Sequence, residues 1–308
     1  MRIVRHPGPT QGDTALAIGS FDGVHRGHAA LLARVKASAS ERGIAPGVLT
    51  FEPLPREFFA PALAPPRIYA LRERLEAISS LGIEVAFVQR FDAQFATLEP
   101  DEFAARLRRA HGCRHVIVGE DFRYGARRAG DCASLAESGR RLGFEVEVLP
   151  AVRLGGHRVS STLVREALAA GDFDESARLL GRRYAITGRV VHGYHRGRTL
   201  GFPTANVRLA RPKPALTGIF AVKCTGSETR GLEGVASLGI NPAVRDGGPA
   251  TLEAFLFDFS GDLYGRHLSI EFVKKLRDEA NFASLELLRE QMQRDCEAAR
   301  AVFRQMGS

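Results

Sequence analysis

Several common signatures are missing from this sequence, and each absence excludes a class of protein. Its 308 residues hold four cysteines, Cys113, Cys132, Cys224 and Cys296. None forms a C-x-x-C pair, so neither a zinc site nor a dense disulfide scaffold is expected. No glycine is followed two residues later by another, which removes the dinucleotide fingerprint G-x-G-x-x-G. No Gly-Lys pair occurs either, which removes the P-loop. No apolar run approaches the roughly 18 residues of a membrane helix. The start, MRIVRHPGPTQGD, lacks the apolar core of a secretory signal. The expectation is a cytoplasmic protein without a membrane partner.

Lysine is also scarce. Lys36, Lys213, Lys223, Lys274 and Lys275 are the only ones, so arginine supplies most of the net charge of +8. A basic surface attracts nucleic acid or small polyanions such as ATP. The chain has no zinc-finger pattern, long basic run or aromatic RNA-binding signature, so no nucleic-acid partner is expected. Hydrophobic residues at 44% and charged residues at 25% are globular proportions.

Short β-branched runs alternate with helical stretches through the first half. Ala15–Ile18, Val48–Phe51, Val85–Val88, His115–Val118 and Val146–Leu149 read as strands. His28–Arg42, Leu71–Leu81 and Asp101–Ala110 read as helices. Such alternation predicts a parallel sheet wrapped by helices, an α/β fold with its ligand beyond the carboxyl ends of the strands. Two short helices follow at Ser161–Ala170 and Phe173–Leu180. From Tyr184 strands follow strands: Ala185–Val191, Gly218–Lys223, Gly234–Leu238, Thr251–Asp258 and His267–Val273. That texture predicts a small antiparallel barrel or sandwich. A final helix, with Leu285, Leu288, Met292, Cys296, Ala299 and Phe303 at helical spacing, is expected to pack on it. The predicted domains are residues 1–181 and 182–308.

The loop after the first strand, Gly19-Ser20-Phe21-Asp22-Gly23-Val24-His25-Arg26-Gly27-His28, carries the chemistry of the first domain. Gly19, Gly23 and Gly27 let the backbone turn and approach a ligand. The helix start beyond them offers free N–H groups suited to phosphate. His25 and His28, three apart, fall on one face of the first helical turn, where two imidazoles can stabilise charge at phosphorus. Alone, this pattern is better read as a capping loop with two solvated histidines.

The pattern closely resembles the HxGH nucleotidyltransferases, in particular the FAD synthetase branch. LTFEPLPREFF (Leu49–Phe59), VGEDFRYG (Val118–Gly125), RVSSTLVREAL (Arg158–Leu168) and GDFDESARLLGRRY (Gly171–Tyr184) resemble further segments of that branch, in order. The resemblance implies that Gly19, Ser20, Phe21, Asp22, Gly23 and Gly27 cradle the nucleotide. His25 and His28 would act on the ATP α-phosphate and the departing pyrophosphate. Ser161 and Thr162 would supply hydroxyls, Arg165 a fork for phosphate oxygens, and Asp121 a polar contact to the flavin. The phosphate of FMN is itself a nucleophile, so catalysis there is positioning and electrostatics.

In the second half, GRVVHGYHRGRTLGFPTANV (Gly188–Val207) joins a flexible loop, Gly193, Gly197 and Gly201, to Pro203-Thr204-Ala205-Asn206. Read alone, it is a turn followed by a strand, with Thr204 and Asn206 able to offer hard oxygen to Mg²⁺. Its G-F-P-T-A-N resembles the riboflavin kinase signature. LEAFLFDFSGDLYG (Leu252–Gly265) and FVKKLRDEANFASLELLREQMQRD (Phe272–Asp295) are similar to later segments of that family. The resemblance implies a six-stranded barrel with ATP under the glycine loop and Mg²⁺ on Thr204 and Asn206. Glu253 would be the catalytic carboxylate that orients the ribityl 5′-hydroxyl, with Arg277 and Phe282 bordering the flavin. The chain departs from the usual pattern at Phe255 and at Tyr194-His195.

Together the resemblances imply a bacterial bifunctional flavin enzyme. Its substrates would be ATP, riboflavin and FMN, its product FAD, and Mg²⁺ its cation. A chain retaining one of the two activities, or a basic nucleic-acid-binding protein that merely retains flavin, are the alternatives.

Overall fold

The computed structural model describes residues 1–6, 8, 12–193, 201–211, 213–226, 231–240 and 250–307. Two compact units divide the chain: Met1–Pro65 with Arg74–Ser160, and Pro66–Glu73 with Ser161–Ser308.

The first unit is a parallel sheet. Its elements run β1 (Arg2–Val4), β2 (Thr14–Ile18), α1 (Arg26–Arg42), β3 (Ala45–Glu52), α2 (Pro55–Phe59) and α3 (Leu71–Ser80). They continue with β4 (Val85–Arg90), α4 (Ala93–Ala96), α5 (Pro100–His111), β5 (Cys113–Gly119), α6 (Cys132–Leu142) and β6 (Glu145–Leu149). The sheet order is β1-β4-β3-β2-β5-β6, every pair parallel. From β2 the chain builds outward through β3 and β4, then returns to β5 on the other side of β2. Strand order therefore reverses beside β2, and its carboxyl end opens on the crevice where such sheets take ligands. All five residues of β2 are buried, which explains why its sequence reads as an unbroken apolar run. A two-stranded ribbon, β7 (Arg153–Leu154) with β8 (His157–Arg158), follows.

Helix ends follow local chemistry. Gly43, Gly112 and Gly143 end α1, α5 and α6 in the left-handed region, as C-cap glycines do. The short pieces β1, α2, α4 and the β7–β8 ribbon carry too few residues to show a period. Helix α6 goes unread because its buried face is built partly from Ser138 and Gly139 rather than from large apolar residues.

The second unit holds α7 (Ser161–Ala170), α8 (Phe173–Leu180) and the strands β9 (Ala185–Val191), β10 (Thr204–Val207), β11 (Gly218–Gly226), β12 (Leu232–Ile240), β13 (Ala250–Leu256) and β14 (His267–Arg277). Helix α9 (Leu285–Met306) ends it. The six strands close into a barrel in the order β10-β13-β12-β11-β14-β9, every pair antiparallel, as the strand-rich texture predicts. Phe173, Tyr184, Phe220 and Phe272 meet in an aromatic cluster with centroid separations of 5.1–5.9 Å.

Segment Pro66–Glu73 is also tied into this unit. Arg211 is buried and donates to the Ile68 carbonyl and to the Tyr184 hydroxyl, and it pairs with the Glu73 carboxylate. Tyr184 donates its hydroxyl to the same carbonyl at 3.0 Å, and the Thr187 N–H donates to Glu73 Oε1 at 2.8 Å.

The apolar stripe of α9 divides in two. Ala299 and Phe303 are buried in a cluster with Ala221 and Phe257, with Cys296 packed against it. Leu285, Leu288 and Met292 instead line a cavity, and Leu285 is 68% exposed. At about 1.5 Å per residue a 22-residue helix is about 33 Å long. It outreaches the small core beneath it, so the amino-terminal third of the stripe is left to line the cavity.

Candidate active sites

The loop after β2 is held in a shape its sequence disfavours. Phe21 and Val24 have φ of 50° and 43°, in the left-handed region where a β-branched residue is an outlier. Each such residue costs about 1–3 kcal/mol and persists only where its surroundings over-determine it. Here both are wholly buried, and Asp22 is nearly so. Gly23, at φ 82°, takes the same region without strain.

Arg74 fixes the loop from beneath. It is fully buried and donates to the Ser20 carbonyl at 2.8 Å, to the Phe51 carbonyl at 3.0 Å and to Glu52 at 3.1 Å. Thr50 adds a longer bond to the Ser20 carbonyl at 3.4 Å. Sequence reasoning missed Arg74. In LRERL it reads as one more charge on a solvated helix face, and no local signal marks it as buried.

His25 is buried and caps α1: its Nδ1 accepts the backbone N–H of His28 at 3.3 Å. An accepting Nδ1 places the ring proton on Nε2, which makes His25 a donor suited to an anionic oxygen. The two imidazoles stack with centroids 3.7 Å apart, and the Phe21 ring meets His28 edge-on at 5.2 Å. A Cβ at Gly27 would stand 3.1 Å from the His25 ring, so glycine there gives the imidazole its room. Gly19 faces the Phe21 ring at ordinary contact distance.

Next to the carboxyl ends of β2 and β3 lies a cavity of about 640 Å³. Ile18, Phe51, Phe91, Phe95, Phe122 and Tyr124 form its apolar walls, and Arg56, Arg123, Arg127 and Arg128 also line it. Aromatic walls suit a fused-ring ligand, and arginine forks suit its phosphate. The LTFEPLPREFF and VGEDFRYG segments supply much of the lining, though sequence reasoning singled out only Asp121 there. Asp121 is exposed and pairs with Arg158 at 2.7 Å; the lining begins at the next residue, Phe122.

Ser161, Thr162 and Arg165 stand on the first turns of α7, which groups with the second unit. Thr162 is exposed, whereas Arg165 is half-buried and donates Nε to the Pro66 carbonyl at 2.7 Å.

In the barrel, register does the assembling. Asn206 on β10 lies directly opposite Glu253 on β13, and Glu253 lies opposite Ser237 on β12. Thr204, two residues from Asn206, shares its face and donates Oγ1 to Glu253 Oε2 at 3.2 Å. That bond leaves the Thr204 oxygen lone pairs for a cation. Together with the Asn206 amide oxygen they make a hard-oxygen set that fits Mg²⁺. A Cβ at Gly193 would collide with the Asn206 amide, so this glycine is required by close approach. Gly201, at φ 87°, uses the left-handed region; Gly197 and Tyr194-His195 lie outside the described residues.

Thr204, Glu253, Arg277 and Phe282 all line a cavity of about 690 Å³. Arg277 is held by a two-bond pair with buried Asp295, at 2.8 and 2.7 Å, and stands 5.7 Å from the Phe282 ring centroid. Gln291 also donates to Asp295, at 2.9 Å. Cys296 lines the same wall, and burial pushes its thiol up to about 11, so it stays neutral. Phe255, the departure from the usual pattern, meets Phe202 edge-on at 5.4 Å and adds apolar wall.

A parallel sheet with a histidine-bearing glycine loop at its switch point, together with a closed barrel bearing a carboxylate-lined cavity, fits a two-domain nucleotide-using transferase. The FAD synthetase family model matches residues 8–163 and the riboflavin kinase model residues 180–303. The chain is 46% identical over 286 residues to a bifunctional riboflavin kinase/FMN adenylyltransferase of Pseudomonas fluorescens, covering 92% of this chain and 91% of that one. It is 43% identical over 289 residues to the protein of the same name from Escherichia coli K12, covering 94% and 92%. A Streptococcus pneumoniae crystal structure described as a macrolide-efflux protein superposes with a TM-score of 0.79 at 30% identity, over 97% of this chain and 98% of that one. Among the described residues no helix is long and apolar enough to cross a membrane. The chain belongs to the bifunctional riboflavin kinase/FMN adenylyltransferase family.

Proposed function

We infer that this chain makes both flavin cofactors, with riboflavin phosphorylated in the barrel and FMN adenylylated at the β2 loop. The observation that carries the reading is the Thr204–Asn206–Glu253 face in one half together with the stacked His25–His28 pair in the other. Residues 1–181 would carry the adenylyltransferase and 182–308 the kinase, working in the cytoplasm on ATP, riboflavin and FMN.

In the barrel, riboflavin enters the 690 Å³ cavity with its ring against Phe282 and the apolar part of Arg277. Its 5′-hydroxyl meets Glu253, which Thr204 already orients. The carboxylate accepts the hydroxyl proton as the oxygen attacks the γ-phosphorus of ATP and ADP departs. Gly193, Gly197 and Gly201 give backbone N–H groups to the ATP phosphates. Mg²⁺, held by Thr204 and Asn206, would neutralise charge on those phosphates.

At the β2 loop, FMN lies in the aromatic cavity with its phosphate toward the arginines on the wall and Asp121 at the edge. A phosphate oxygen of FMN attacks the α-phosphorus of ATP and pyrophosphate leaves. His25 and His28 donate to oxygens gaining charge, while Gly19, Ser20, Phe21, Asp22, Gly23 and Gly27 form the backbone cradle. Ser161, Thr162 and Arg165 serve the pyrophosphate. The test is a time course of riboflavin, FMN and FAD by HPLC with ATP and Mg²⁺. FMN should appear first and FAD second, with equimolar pyrophosphate; a chain that formed neither flavin nucleotide would defeat the reading.

A further inference from the structure

Glu279 is the one cavity carboxylate to which the kinase reading gives no work. It follows β14 and lines the barrel cavity with Glu253, Arg277 and Phe282. The two other carboxylates there are engaged: Glu253 accepts from Thr204, and Asp295 holds Arg277. Among the described residues Glu279 has no hydrogen-bond or ion-pair partner. Glu279 is exposed at the cavity mouth, and its carboxylate stands against Gly239. Burial raises its pKa despite the opposing field of Arg277. A carboxylate partly desolvated and without a protein donor is an acceptor that a ligand's donor can satisfy.

Its position is set by the barrel register. Gly239 lies two residues beyond Ser237 on β12, on the same face, and Ser237 is opposite Glu253. Two residues along a strand is about 7 Å. The Glu279 carboxylate therefore sits about one polyol chain away from the carboxylate that takes the 5′-hydroxyl. Gly239 is needed for this, because a Cβ there would collide with the Glu279 carboxylate.

We propose that Glu279 is a specificity residue of the kinase half, accepting hydrogen bonds from the secondary hydroxyls of the ribityl chain of riboflavin. The proposal rests on the cavity being the riboflavin site. Glu279 thereby reads the sugar-alcohol tail, whereas Phe282 meets the ring. Glu253 and Glu279 together grip the tail at two points and aim its terminal hydroxyl.

The test measures binding of riboflavin and of lumiflavin, which has the ring but no ribityl tail, by flavin fluorescence on the full chain. Glu279→Ala should weaken riboflavin about tenfold, the worth of one hydrogen bond to a charged group at about 1.4 kcal/mol, and leave lumiflavin unchanged. Glu279→Gln, which keeps an acceptor oxygen, should recover most of the loss. Gly239→Ala, which displaces the carboxylate without removing it, should reproduce the alanine pattern. In kinetics the change should fall on KM for riboflavin rather than on kcat, with conversion of supplied FMN to FAD unaltered as the check on folding. Equal weakening of both ligands by Glu279→Ala, or no weakening of either, overturns the proposal. Phe282→Ala should weaken both ligands; if it weakens neither, the cavity is not the riboflavin site, which is a separate failure.

Discussion

The imidazoles of His25 and His28 lie ring on ring, 3.7 Å between centroids and 16° from parallel. Stacking couples their positions, since neither ring can tilt far without moving the other. His25 is further held by the His28 backbone N–H that it accepts. We expect His28→Ala to lower FAD formation by about 10²–10³-fold, the usual cost of one donor to a developing oxyanion. FMN should then accumulate from riboflavin at the normal rate, as HPLC of the products would report. Equal loss of both products would place His28 outside the adenylylation step.

The opposite pattern is expected in the barrel. Asn206→Ala or Glu253→Ala should abolish FMN formation while supplied FMN still becomes FAD. Gly193→Ala should resemble Asn206→Ala, because the added methyl group must displace the Asn206 amide. Assaying each variant separately with riboflavin and with FMN makes the distinction; a Gly193→Ala enzyme with normal kinase activity would show that the amide has no fixed place.

Arg74 should prove as important as the histidines, for a different reason. Arg74→Met removes one buried donor shared by two carbonyls and Glu52, at a cost of about 3 kcal/mol. At 2–4 °C per kcal/mol for a unit of this size, Tm falls by about 10 °C. FAD formation should drop even below that Tm, since the Ser20 carbonyl keeps only its longer bond from Thr50. Calorimetry with assays at low temperature separates the two effects.

His111 makes the first unit sensitive to acid. It is buried against Phe87, its Nδ1 donates to the Arg106 carbonyl at 3.1 Å, and burial lowers its pKa to about 4. The unfolded chain takes up this proton near pH 6.5, the folded chain only near 4. Stability is therefore complete above about pH 6.5 and falls as pH drops, by about 3 kcal/mol at pH 4. His111→Phe should flatten this limb of the curve, as denaturant melts at pH 7.5 and 4.5 would reveal. An unchanged acid limb would assign it to the carboxylates instead.

What the sequence disclosed was what repeats or concentrates. The central strands announce themselves because they are buried on both faces, and Gly19–His28 because its glycines are close-spaced. Barrel strands appear through their Gly and Pro punctuation. Single residues that act at a distance were silent: Arg74 and Glu279 read as surface charges, and only the chain path shows one under Ser20 and the other on Gly239. The cavity arginines were silent too, since Arg123, Arg127 and Arg128 meet the carboxyl ends of β2 and β3 only once the sheet is folded. Helix α9 misled in part, because helical spacing tells which side is apolar but not what that side meets.

The segment Pro66–Glu73 carries a consequence for how this protein could have been assembled or could be taken apart. Arg211 and Tyr184 are satisfied by Ile68 and Glu73, residues encoded more than a hundred positions upstream. A gene truncated at the riboflavin kinase boundary would still encode every barrel strand. It would also lack Glu73, the carboxylate that pairs with buried Arg211, and removing one partner of a buried pair is costly. The two activities are assayed apart, yet a barrel encoded without residues 66–73 would have to replace the Glu73 carboxylate beside Arg211.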